Sequence, residues 1–286
     1  MQLGINNWSL PSGLSLEETF RMVKQAGFDT IELNMSEFND SDINSFGIAT
    51  ENSQFLTTLT TSEGLIKIKE ISEMYDLPIS SISTDLHWKY RLNDENPTVR
   101  EQGKEVAKRM IDACHILGGD TVLIVPGVIK TEDCYEEAYR LAQQTLKELS
   151  FYAEKANIYL GVENVWNRFL LTPLEMKRFI DEINHPFIKV YLDIGNILHF
   201  GYPHQWIETL GSRIVKVHVK DYKLSAGNAT GFTKLLAGDV NWIEVIGGLK
   251  RVHYTGPLTA ELTPYRYYPE QLVKDTAKAL KLMLDN

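Results

Sequence analysis

The sequence is short of the features that mark several large classes of protein. Its two cysteines, Cys114 and Cys134, are too few for a disulfide framework and fall in helix-like stretches. No apolar run approaches the ~18–20 residues needed to cross a bilayer. The chain enters directly on Leu3-Gly4-Ile5-Asn6-Asn7, with no charged head, long apolar segment or cleavage site. These absences predict a soluble, cytoplasmic protein with no membrane association. Positive charge is scarce too: 29 Lys and Arg against 38 Asp and Glu leave a net −9, which disfavours nucleic acid as a partner. There is no repeat, linker or low-complexity tract. The first strand-like run is followed by Asn6-Asn7-Trp8-Ser9-Leu10-Pro11, not the Gly-rich turn of a dinucleotide-binding sheet.

What is there is a regular alternation. Short apolar runs at Leu3–Asn7, Thr30–Asn34, Pro78–Ser83, Thr121–Val125, Ile158–Glu163, Ile188–Asp193, Ile214–His218 and Pro257–Glu261 read as strands buried on both faces. Each is followed by a helix-like segment; the first is Leu16–Ala26, closed by Gly27, the one after the fourth strand runs from about Glu132 to Ala156, and the last is Glu270–Leu284. Helical crossovers impose parallel strands and right-handed connections. Eight such units predict an α/β fold, a single (β/α)8 TIM barrel occupying residues 1–286 as one domain.

The last four of these runs end on Glu163, Asp193, His218 and Glu261. A charged group at the end of a buried strand is costly unless it is paired or bound to a cation. Barrel active sites lie at the C-terminal ends of the strands, and strands five to eight are neighbours around the ring. The pattern therefore predicts one convergent site for a divalent metal. Three carboxylates and an imidazole favour Mn2+, with Mg2+, Co2+ or Zn2+ as alternatives. Such a metal would polarise a sugar carbonyl. Glu163 and Glu261, from opposite flanks, could then remove and return a proton on the two faces of an enediolate.

Other residues are candidates for the substrate. Trp8 follows strand one, His87 and Trp88 follow strand three, and Trp166 lies three residues beyond Glu163. Lys220, two residues after His218, could stabilise an alkoxide or bind an anion, or could pair with Asp221. His199 lies just beyond strand six, where helix capping competes with ligand contact. Tyr265 and Arg266 follow strand eight and could reach a terminal phosphate or a second subunit, the Tyr265–Tyr268 segment being a candidate for homo-oligomer contact. His115, His185 and His253 are expected to be structural.

The segments Glu163-Asn164-Val165-Trp166-Asn167-Arg168-Phe169, Leu192-Asp193-Ile194-Gly195-Asn196, Val217-His218-Val219-Lys220-Asp221 and Thr259-Ala260-Glu261 resemble the sugar phosphate isomerase/epimerase family. That family has a xylose-isomerase-like barrel and includes ketose 3-epimerases and L-xylulose 5-phosphate 3-epimerases. The resemblance implies that Glu163, Asp193, His218 and Glu261 bind one divalent ion and that the two glutamates double as the acid/base pair. It also implies a small sugar or sugar phosphate as partner. Asn196 and Leu170 stand where ketose 3-epimerases carry a substrate-contacting histidine and glutamate, so the resemblance supports metal binding more than free-ketose 3-epimerisation. Asn196 is still expected at the substrate. A dehydratase acting on an inosose-type sugar would use the same site. A base-excision endonuclease would need further histidines at strand ends, and the Asp-x-His pair expected after strand seven is absent.

Overall fold

Eight parallel strands close into a ring. They are β1 (Gln2–Asn6), β2 (Thr30–Ser36), β3 (Ile79–Ser83), β4 (Thr121–Ile124), β5 (Tyr159–Glu163), β6 (Ile188–Asp193), β7 (Ile214–Val219) and β8 (Pro257–Ala260). Each pairs with the next, and β8 returns to β1 through pairs such as Ile5 with Ala260, so the barrel has no free edge. Around it lie α1 (Leu16–Ala26), α2 (Ser62–Met74), α3 (Pro97–Leu117), α4 (Tyr135–Ala156), α5 (Pro173–Ile183), α6 (Pro203–Leu210), α7 (Trp242–Arg251) and α8 (Pro269–Asp285). The computed structural model describes residues 1–38, 43–46, 48–49 and 55–285. Part of the long connection expected after β2 lies outside them. None of the helices among the described residues is long and apolar enough to cross a membrane.

Local chemistry explains the helix ends. Ser15 and Glu18 form a reciprocal capping box on α1, and Gly27 ends it in the left-handed region at φ 98°. Helices α3, α5 and α6 each begin on a proline, whose missing N–H costs nothing in the first turn. Helix α4 starts three residues later than expected. Asp133 accepts the Lys130 amide at 2.8 Å and pairs with Arg91, which holds that stretch as a turn. Cys114 is buried in α3 and Cys134 is exposed just before α4, both free.

Short elements that the sequence does not announce also lie near the barrel mouth. A helix at Ile194–Leu198 follows β6 at once, capped by Asp193, whose Oδ1 accepts from the Asn196 amide at 2.8 Å. Asp221–Tyr222 and Phe232–Thr233 pair antiparallel within the β7–α7 connection. Strand β8 stops at Ala260, leaving Glu261 as the first residue beyond it, with its amide on Val219 O at 3.2 Å.

The barrel interior carries a buried polar layer beneath its mouth. Asn6, Glu32, Asn34, Ser81, Ser83, Tyr191 and His218 are all buried there. They satisfy one another: Glu32 accepts from Asn6 Nδ2 at 2.6 Å, Ser81 Oγ at 2.7 Å and Tyr191 Oη at 2.5 Å. Register irregularities in β2 between Ile31 and Glu32, and in β6 between Val190 and Tyr191, occur beside the residues that meet in this network.

Candidate metal centre

Strand register brings the four predicted residues together. Asp193 of β6 lies directly beside His218 of β7, and Glu163 of β5 lies beside Tyr191, two residues before Asp193. Glu163, Asp193, His218 and Glu261 each direct one ligand atom into a common space, all within 4.8 Å of one another. His218 Nδ1 is 3.6 Å from Glu163 Oε1, 3.7 Å from Glu261 Oε2 and 4.0 Å from Asp193 Oδ2. Three of the four residues are buried and Glu261 nearly so.

The other face of the imidazole is fixed by a residue that the sequence reading passed over. His218 Nε2 lies 2.6 Å from Glu32 Oε1, and both side chains are fully buried. A proton on Nε2 donates to Glu32 and leaves the Nδ1 lone pair facing the three carboxylates. This is the usual way a carboxylate orients a metal-binding histidine. Burial alone would raise the Glu32 pKa, but the His218 charge and the hydrogen bonds from His218, Tyr191 and Ser81 overcome it and bring it down to about 2. Burial alone would lower the His218 pKa; the Glu32 and Glu261 charges outweigh it and hold it well above its usual value. A metal on Nδ1 competes with that proton, which makes binding proton-linked.

Lys220 completes the electrostatics. Its Nζ is 2.5 Å from Glu261 Oε2 and 2.9 Å from Asp193 Oδ2. It does not pair with Asp221, the partner considered from sequence. Asp221 is buried and accepts instead from the amides of Tyr222 and Val240 and from Trp242 Nε1, pinning the β7–α7 connection. Despite burial, the carboxylates keep the Lys220 pKa well above its usual value. Burial, together with the Glu261 and Asp193 charges, pushes Glu163 up to about 7 against the opposing pull of His218. Burial would also raise Glu261, but Lys220 and His218 hold it below the usual carboxylate value.

The residues fit a divalent cation on two observations. His218 Nδ1 is buried without a hydrogen-bond partner and faces the carboxylates. Glu163, Asp193, Glu261 and Glu32 also outnumber the neighbouring cations Lys220 and His218, an imbalance that buried groups tolerate poorly. An oxygen-rich set with one nitrogen suits a hard or borderline dication.

A cavity of about 640 Å³ opens beside Glu261 and Lys220 of this cluster. Trp8, Lys220, Phe232, Glu261, Tyr265 and Arg266 are among its lining residues, so several sequence candidates share one space. Trp166 packs against His199, Phe200, Tyr222 and Phe232 as an aromatic wall, with Nε1 donating to Asn196 O at 2.9 Å. Lys220 Nζ lies 5.1 Å from the Phe232 ring centroid, linking this wall to the cluster. The Asn196 side chain donates to Asn164 O at 3.0 Å, and Asn164 in turn brackets Asp193 through Asp193 O and N. Its amide is thus spent on joining β5 to β6.

His87 lies outside the cavity lining. It is fully buried after β3, and burial lowers its pKa to about 4 against a smaller raising contribution from the Gly103 backbone in α3. Leu170 is core, buried at φ 54° with its amide on Tyr135 Oη. His115 bonds Ala156 O, and His185 lies 3.7 Å from Glu154, both away from the mouth as expected. Glu32 and Asn6 were missed. Glu32 had a readable signal, a carboxylate in the middle of Thr30-Ile31-Glu32-Leu33-Asn34, where both faces are covered.

Comparison with known proteins agrees with this architecture. The L-ribulose-5-phosphate 3-epimerase UlaE of Shigella flexneri is 26% identical over 263 residues, covering 91% of this chain and 86% of that protein. A D-psicose 3-epimerase structure determined in the presence of D-fructose superposes with a TM-score of 0.81 at 16% identity, over the whole of both chains. A D-tagatose 3-epimerase-like protein gives 0.78 at 22% identity, covering 100% of this chain and 97% of the other. These structural likenesses establish the fold. The xylose isomerase-like TIM barrel model matches residues 20–283, and the chain belongs to that family.

Proposed function

We propose that this chain is a single-domain, cytoplasmic, divalent-metal-dependent sugar epimerase that inverts the carbon beside a ketose carbonyl, with Glu163 and Glu261 as its acid/base pair. The observation that carries this reading is the approach of both glutamates to one nitrogen of His218, at 3.6 and 3.7 Å, from β5 and from the end of β8. Those positions flank Asp193 and His218, so a planar substrate held against the cluster would meet one carboxylate on each face. Mn2+ is the proposed ion, with Mg2+, Co2+ or Zn2+ as substitutes, held by Glu163, Asp193, His218 and Glu261. When bound, it would supply Lewis acidity to a carbonyl and its neighbouring hydroxyl.

Glu261, kept ionised beside Lys220, takes the C3 proton. The C–H electron pair passes into the C2–C3 enediolate, whose negative charge the Lys220 ammonium also opposes. Glu163, on the other flank, returns a proton to the opposite face, and the electron pair falls back to C3. The reverse reaction exchanges the two roles. Trp8 and Phe232, the latter backed by Trp166, provide apolar surface for the sugar and help to exclude water. The names of the relatives, 3-epimerases of L-ribulose 5-phosphate and of free ketoses, support a ketose or ketose phosphate as substrate. Exposed Tyr267 and Tyr268 at the rim support pairing of two copies at their mouths.

Proton NMR of reactions in D2O tests the proposal. L-Ribulose and L-ribulose 5-phosphate are incubated with chelator-treated protein, then with Mn2+ restored. A C3 epimer carrying deuterium at C3, formed only with metal, is expected. An aldose product, an elimination product, or turnover indifferent to chelation overturns it.

A further inference from the structure

The cavity that begins at Glu261 and Lys220 also holds two cations for which proton transfer has no use. Lys234 comes from the β7–α7 connection and Arg266 from the β8–α8 connection. In this barrel class, the loops after the seventh and eighth strands are a frequent place for phosphate binding. Lys234 Nζ lies 4.8 Å from the Tyr265 ring centroid, which joins the two loops, and the Arg266 guanidinium lies 5.7 Å from the Tyr267 ring. Stacking on a ring leaves the N–H donors free for an anion. Neither cation makes an ion pair among the described residues, although acids outnumber bases 38 to 29 and many other surface cations, such as Lys104, Arg213 and Arg251, are paired. Thr233 and Thr263 add hydroxyl-bearing side chains to the same lining.

The charge layout is directional. Carboxylates crowd the end where the metal would sit, so a dianionic group is repelled there. Arg266 and Lys234 offer it a place in the same cavity. An arginine fork, an ammonium and two hydroxyls match the several oxygens of a phosphoryl group better than the two of a carboxylate. We infer that Lys234 and Arg266 clamp the phosphoryl group of the substrate, which makes the protein specific for a ketose phosphate over the free ketose. This rests on the reading of the neighbouring cluster as a metal-dependent epimerase site.

The test compares L-ribulose 5-phosphate with L-ribulose on the Mn2+-loaded protein and on Lys234→Met, Arg266→Met and the double variant. Both kcat/KM and calorimetric binding are measured. Wild type is expected to prefer the phosphate at least about 100-fold, and each substitution to cut that preference about tenfold, the worth of a charge-assisted hydrogen bond. Equal use of both sugars by wild type, or an undiminished preference in the double variant, overturns the clamp and leaves the epimerase reading intact. If neither sugar turns over, that reading fails. Binding of L-ribulose 5-phosphate that weakens in the double variant then still supports the clamp, and unchanged or absent binding overturns it. Both side chains are exposed, so the variants are expected to fold.

Discussion

Glu32 Oε1 and His218 Nε2 lie 2.6 Å apart with both side chains fully buried, joining the polar floor of the barrel to the candidate metal centre. The pair fixes which imidazole nitrogen faces the carboxylates. Glu32→Gln keeps the shape and removes the charge. Mn2+ affinity is expected to fall about 10–100-fold, the usual cost of losing such a carboxylate behind a metal-binding histidine. Calorimetry on the purified variant measures it directly. An unchanged dissociation constant would show that the pair serves folding alone.

The four-residue cluster is legible in the sequence and Glu32 is not, for a physical reason. Glu163, Asp193 and His218 stand at or next to the ends of short apolar runs, so each stands out as a charge where a buried strand meets the mouth. Glu32 has polar residues two positions to either side, Thr30 and Asn34, and their shared spacing imitates a solvated face. Only the closed ring shows that this face points inward. Lys220 could be placed at the site by its spacing from His218, but its partners come from β6 and from beyond β8. Phe232 and Lys234 reach the cavity because Asp221 pins a long connection through contacts up to 21 residues away. Local sequence carries no sign of that fold-back.

Lys220 is the one ammonium between Asp193 and Glu261. Lys220→Met would leave Glu163, Asp193 and Glu261 facing one another without it. Breaking a buried charge pair in this way costs about 3–5 kcal/mol. The melting temperature of the metal-free variant should fall by several degrees. Mn2+ should then raise it by more than it raises wild type, because the ion no longer competes with a tethered cation. A metal-induced shift smaller than that of wild type would mean that Lys220 assists metal binding, which contradicts this account.

His87 should impose an acid limb on stability. Its unfolded pKa lies near 6.5, while the buried imidazole resists protonation down to about pH 4. The folded form binds fewer protons within that window, so stability is full above about pH 6.5 and is lost as pH falls towards 4. The change amounts to about 3 kcal/mol. Urea titrations at pH 7 and pH 4.5 measure it. In His87→Gln the difference between the two pH values should shrink by nearly that amount. A gap as wide as that of wild type would place the acid sensitivity elsewhere.

The two-carboxylate mechanism makes an asymmetric prediction that separates proton transfer from metal binding. With Mn2+ saturating, confirmed by calorimetry, Glu163→Gln cannot return a proton to the second face of C3. Epimer formation should fall on the order of 10²–10⁴-fold. Glu261 can still remove and replace the proton on its own face, so the recovered substrate should gain deuterium in D2O without inversion. Glu261→Gln should do the reverse, failing to exchange the substrate while still exchanging the epimer supplied as starting material. Each variant thus blocks one face. If both lost exchange on both sugars while still holding metal, the two glutamates would be acting as ligands only and a third group would have to carry the proton. Lys220 lies against Asp193 and Glu261 on the cavity side, but its raised pKa makes it a poor base at neutral pH.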